Sequence, residues 1–145
     1  MQPTKQTDMK KIDVINAANI LGSLAINKIK KAEVKTPLLL DYIKIRKAAE
    51  AYQDEQKTLV DKFQKDYKDE IAEVGGLRDR GEEIVGHDAF LNAEQEANKL
   101  LKENINSECS VDGLTLIPFD SFAEAVADTD LSLEAISLLS NVILE

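Results

Sequence analysis

The sequence predicts a mainly α fold with a small β-hairpin. In this α+β chain a long antiparallel helical hairpin is joined to an N-terminal helix and to a C-terminal segment of β-ribbon and short helices. Three observations predict it. Apolar residues recur at steps of three and four from Leu38 to Phe63 and again from Phe90 to Leu101, which places them on one face of a helix. Gly75, Gly76, Gly81 and Gly86 punctuate the charged stretch between these runs and mark a turn. After Ser107 the texture changes to two short extended runs, Cys109 to Val111 and Leu114 to Phe119, split by Asp112-Gly113, a dipeptide typical of a tight hairpin turn. With 145 residues, 43% hydrophobic and 31% charged, the chain can bury about two-thirds of its unfolded surface and reads as one globular domain, 1–145.

Taken in order, residues 1–11 are polar and carry Pro3, which predicts a loose leader, with residues 9–12 available as a third strand beside the ribbon. Asp13 is placed to cap a first helix over 13–27, whose stripe is Val14, Ile15, Ala18, Leu21, Leu24 and Ala25. Gly22 inside it costs about 1 kcal/mol relative to alanine, which suggests close approach of another backbone. A lysine-rich connection, 28–35, leads to Thr36 and Pro37, the N-cap and first-position proline of a second helix. Its seam of Leu38, Tyr42, Ile45, Ala49, Tyr52, Leu59 and Phe63 misses one rung, at Gln56. Sustained to Glu73, it gives about 36 residues and about 54 Å, so this helix either bends or projects as one arm of a hairpin. A tip over 75–86 and a third helix opened by Asp88, with Phe90, Ala93, Ala97, Leu100 and Leu101 on its seam, complete an antiparallel hairpin over 37–105.

The 108–145 segment then holds the ribbon, a short helix opened by Asp120 or Ser121 and running to about Ala127, and a last helix over about 132–144. Leu133, Ile136, Leu139 and Val142 share one face of that last helix. They are the candidate partner surface, or else the cover of the core.

Charge is the least ordinary feature. Residues 1–47 hold ten Lys/Arg against four Asp/Glu, a net of +6; residues 48–102 hold eight against fourteen, a net of −6; residues 103–145 hold nine acids and no Lys or Arg, a net of −9. Ends of opposite sign either pack on each other within one chain or join neighbouring chains.

Several chemistries are disfavoured. His87 is the one histidine and Cys109 the one cysteine, too few for a zinc site or an internal disulfide. No nucleophile elbow accompanies His87, which reads as an exposed residue at a helix start; Cys109 reads as a small apolar strand residue. Asp128-Thr129-Asp130 imitates the start of a calcium loop, but Leu133 stands where glycine is required and Leu139 where glutamate is. The glycines form no phosphate-binding pattern. Lys28, Lys30, Lys31, Lys35, Lys44, Arg46 and Lys47 cluster in sequence, yet the acidic remainder would repel phosphate, so nucleic acid is not the expected partner. No apolar stretch reaches the ~20 residues a bilayer demands, and the start lacks the apolar run of a signal peptide. No catalytic residue, cofactor or metal is expected, and the protein is read as not an enzyme.

The succession INAANILGSLAINKIK, TPLLLDYIKIRKAAEAYQDEQKTLVDKF, a charged glycine-bearing interruption, a third helix, and VDGLTLIPFDSFAEAV with an acidic apolar tail resembles a family of small, uncharacterised acidic proteins encoded by temperate tailed phages. Members tend to lie among late, virion-related genes. The resemblance implies synthesis in the host cytoplasm and a place in the virion or its assembly, with phage structural proteins or further copies of itself as partners. The competing expectation is an acidic inhibitor whose Lys-free tail occupies a basic surface of a host protein.

Overall fold

The structure, a computed structural model, describes residues 9–144. It has six α-helices: α1 Lys11–Ser23, α2 Ala32–Asp66, α3 Lys68–Asp79, α4 Asp88–Ile105, α5 Phe119–Ala125 and α6 Leu133–Ser140, with a 3₁₀ turn at Ile26–Lys28. Among the described residues there is no β-strand, only two isolated bridges, Lys10 with Glu108 and Ile117 with Leu144. The fold is therefore all-α, and the α+β expectation with its β-hairpin is overturned.

Backbone hydrogen bonding supplies the reason. Gly113 does turn the chain, with φ 77°, but the two runs beside it find partners elsewhere. The Cys109 N–H donates to the Met9 carbonyl at 2.9 Å and the Ile117 N–H to the Ile143 carbonyl at 2.9 Å. The Thr115 N–H donates to Asp41 Oδ1 at 2.8 Å. Each run thus satisfies its polar backbone against distant parts of the chain rather than against its neighbour. Lys44 Nζ donates to the Gly113 carbonyl, and a β-carbon on Gly113 would meet that amine at 3.2 Å. Gly113→Ala is expected to lower stability by about 1–2 kcal/mol, the cost of a left-handed backbone with a side chain, as read from urea unfolding.

The described residues fall into two compact units, one holding the chain up to Gln53 together with Asn106 onward, the other Asp54–Ile105. In the first, residues 1–8 of the expected leader lie outside the described residues. Met9 is fully buried, and α1 begins at once after Lys10. Asp13 is not the cap but the third helical residue, and its carboxylate reaches back to accept the Lys10 N–H at 3.0 Å. The helix stops at Ser23 rather than 27, because Leu24 turns extended and the 3₁₀ turn follows. Gly22 does face a close neighbour, but it is the Tyr42 hydroxyl, 3.2 Å from where a β-carbon would stand, and not a backbone.

α2 starts at Ala32, ahead of Thr36 and Pro37, so the proline sits inside the helix and forfeits one backbone bond. What extends the helix backwards is Val34, 1% exposed, which anchors the extra turn in the core. The Lys35 ammonium ties that turn to the Asn27 carbonyl at 3.2 Å. α6 packs on α1. Leu21, Leu38, Ile45, Ile117, Phe122, Leu139, Ile143 and Leu144 form the fully buried centre.

In the second unit the long helix breaks. Tyr67 adopts φ −125° and ψ 28° between α2 and α3, with neither glycine nor proline beside it. Its ring lies edge-on to Phe90, centroids 5.7 Å apart, and tilted against Phe63 at 5.0 Å. The returning α4 runs against α2, since Gln56 donates to Asn104 at 2.6 Å while Phe63 meets Phe90 at 5.8 Å. α3 does not prolong the outgoing arm. Glu70 near its start meets His87, and Arg78 near its end reaches Glu94, so α3 lies along the first turns of α4. The expected tip shrinks accordingly: Gly75 and Gly76 are inside α3, and the turn is 80–87, with Gly81 at φ 69° and Gly86 at φ 84°.

Candidate functional site

Of the described apolar residues that are buried, the Asp54–Ile105 unit contributes only Val74 and Phe90. α4 alone explains much of this. Its stripe of Phe90, Ala93, Ala97, Leu101 and Ile105 opposes charged residues on the other face, yet only Phe90 is fully buried; the other four are half-buried, and Leu100 is 53% exposed. The stripe opens on a groove of about 240 Å³. Leu59, Val60 and Phe63 of α2, Ile71 of α3, and Ala97 and Leu101 of α4 give it an apolar lining, with Gln64 and Asn98 as polar members.

One end of the groove is fixed by a bidentate pair, Arg78 with Glu94 at 2.8 and 3.1 Å. The guanidinium holds the Glu94 carboxyl below its usual range. Both partners are partly solvated, and the pair contributes geometry more than stability. His87, expected to be exposed, is instead 13% exposed, with Nδ1 3.1 Å from Glu70 and Nε2 3.5 Å from Glu73. The ring pins the turn to α3. A volume this small takes one or two large side chains rather than a substrate, since small-molecule pockets run from roughly 300 to 1,000 Å³.

A second, larger groove of about 730 Å³ lies in the other unit. Lys28, Lys30 and Lys31 line it together with Glu124, Asp128 and Asp130, and Leu24, Ile29 and Leu131 are among its apolar members. Lys31 and Glu124 join across it at 2.8 Å. The basic and acidic segments of the sequence therefore meet within one chain.

No protein-family model, no curated protein and no solved structure matches the chain.

The four tail residues of the sequence reading part company. Leu139 is fully buried, Ile136 half-buried and Leu133 86% exposed; Val142 is also fully buried but lies past the end of α6, which stops at Ser140 rather than at about 144, so the four do not share one helix face and Leu133 alone stands in solvent. Cys109 is half-buried, and burial pushes its thiol up, away from a reactive thiolate. Among the described residues no three His, Cys, Asp or Glu side chains gather as metal ligands, and no helix is long and apolar enough to cross a membrane.

Asp41 escaped the sequence reading altogether. It lies on the buried face of α2, 0% exposed, and is the buried charged residue among those described. Oδ1 accepts the Thr115 N–H and Oδ2 has no partner. Burial, the largest cause, outweighs the Thr115 bond and the nearby Lys44 and pushes its pKa up to about 6. Its spacing three residues after Leu38 and four before Ile45 was the available signal, since it sets a carboxylate on the apolar seam. Through the Thr115 N–H it acts on the 111–117 segment as a structural clasp.

Proposed function

We propose that this is a non-enzymatic phage protein, a small virion component or assembly factor that works through protein–protein contacts, and that the groove of the Asp54–Ile105 unit is its contact. The observation that carries the reading is α4: a helix with sharply divided faces that buries one residue of its stripe leaves apolar surface for a partner to cover. The phage setting rests on the segment order and its resemblance to small acidic phage proteins. The inhibitor reading has less support, because Glu124 is already held by Lys31, and Asp128 and Asp130 line the same groove as the chain's own Lys28, Lys30 and Lys31.

Purified particles of the encoding phage test it. The protein is expected in fixed copy number, and Asn98→Arg, at an exposed position lining the groove, is expected to cut incorporation about tenfold, the order of effect of about 1.4 kcal/mol, while leaving the circular dichroism unchanged. Absence from particles, or incorporation indifferent to Asn98→Arg, would sink the proposal.

A further inference from the structure

We infer that the larger groove, in the unit formed by the chain ends, takes a short extended peptide segment of a protein partner, one that carries an acidic and a basic side chain on either side of an apolar one. This is a second contact, on a different unit from the Asp54–Ile105 groove, and it stands or falls without that one.

Size, charge and backbone bear on the occupant in turn. At about 730 Å³ the groove falls within the roughly 300–1,000 Å³ that bound ligands fill. Of the charges lining it, Lys31 and Glu124 neutralise each other at 2.8 Å. Lys28, Lys30, Asp128 and Asp130 line it too and are exposed; among the described residues none of these four side chains enters an ion pair or a hydrogen bond. Two free ammonium groups and two free carboxylates sum to no net charge. A ligand of one sign is drawn by one pair and repelled by the other, whereas a ligand with both signs finds a partner for each. Exposed ion pairs contribute little by themselves, and Leu24, Ile29 and Leu131 in the lining supply apolar surface for a side chain to cover. The stretch that links the 3₁₀ turn to α2 favours a peptide over a small zwitterion. Ile29 is extended, with φ −69° and ψ 127°, and Lys30 beside it makes no hydrogen bond among the described residues. Its N–H and C=O are free to bond the main chain of a segment laid alongside, as extended peptides do on unpaired backbone.

Titration of the isotopically labelled full chain at low salt, followed by its backbone amide shifts, is the test. The probes are the end-blocked peptide acetyl-Glu-Glu-Leu-Lys-Lys-amide and the same peptide in reverse order. The better of the two is expected to move the amides of 24–31 and 124–131 with a Kd of about 0.1–1 mM. All-Glu and all-Lys peptides of the same length are expected to bind at least about tenfold more weakly, a difference of about 1.4 kcal/mol. Lys28→Glu with Lys30→Glu makes every unpaired charge of the groove acidic, and this double variant is expected to prefer the all-Lys peptide with unchanged circular dichroism. No shift in the two segments up to about 5 mM of either mixed peptide overturns the inference. So does equal binding by the single-sign peptides, or a preference that the double variant leaves unchanged. Asn98→Arg, in the other unit, is expected to leave the titration as it is; an effect there would place the peptide in the smaller groove and sink this site. Incorporation into particles is read separately, so either contact can fail while the other holds.

Discussion

Between pH 3 and pH 7 the parent protein is expected to lose about 3 kcal/mol of stability relative to an Asp41→Asn variant. The folded-state pKa of Asp41 is raised from 3.8 to about 6, so the folded chain holds this proton more tightly than the unfolded chain does. The stabilisation is fully present below the unfolded value. As pH rises from about 4 to 6, the unfolded state has released its proton while the folded state has not, and stability falls; above the folded pKa the loss is complete. A shift of about two units corresponds to about 3 kcal/mol. Asparagine keeps an oxygen to accept the Thr115 N–H and removes the charge, so it lacks this dependence. All other carboxylates titrate alike in both proteins and cancel in the difference. Urea unfolding of the pair at several pH values measures it, and parallel profiles would show that the clasp is not the buried ionisable group described here. Asp41→Leu is expected to do worse than asparagine at pH 4, because it strands the Thr115 amide, a loss of about 1–3 kcal/mol.

Leu139→Asp is expected to cost more than 4 kcal/mol and to remove the cooperative unfolding of the unit formed by the chain ends. Leu139 is fully buried on α6. Replacing it loses roughly 1.5–3 kcal/mol of apolar burial and sets a carboxylate where no partner awaits it, a further penalty of several kcal/mol or a protonated acid in a cavity. Leu133→Asp, at the first residue of the same helix but 86% exposed, is expected to change stability by less than about 0.5 kcal/mol. Neutralising the nearby acids, Asp128→Asn, Asp130→Asn and Glu134→Gln, is expected to act mainly on salt dependence, as exposed charges do. Thermal melts of the three variants are sufficient. Equal losses at Leu139 and Leu133 would mean that this helix face is not divided between core and solvent.

What the sequence determined by itself is periodicity. The three-and-four spacing located the helical stretches now seen as α1, α2, α4 and α6, because local spacing fixes which residues can share a face; α5, expected to open on Asp120 or Ser121 as its cap, starts at Phe119 after Pro118. Asp88 begins α4, though as its first helical residue rather than as the cap, and the cap of α6, which the structure supplies, is Ser132, whose hydroxyl accepts the Ala135 N–H at 3.1 Å. The charge division was also legible, and its two ends do meet, at Lys31 and Glu124.

What only the tertiary structure decided is where backbone groups find partners far along the chain. Asp112-Gly113 makes its turn, but strand pairing across it lost to a carboxylate 74 residues away, at Asp41, and to the chain end at Ile143. The break at Tyr67 carries no local signal, because no glycine or proline marks it; it follows from stacking on Phe63 and Phe90 and from the reach of Arg78 to Glu94. Pro37 predicted a helix start that the burial of Val34 overrode. The candidate contact divides in the same way: the apolar stripe of α4 was visible in its spacing, whereas which part stays uncovered depends on how α3 folds along it. Local rules state what a segment can form, and long-range burial and hydrogen bonding select among those forms because they outweigh the ~1 kcal/mol preferences that local sequence expresses.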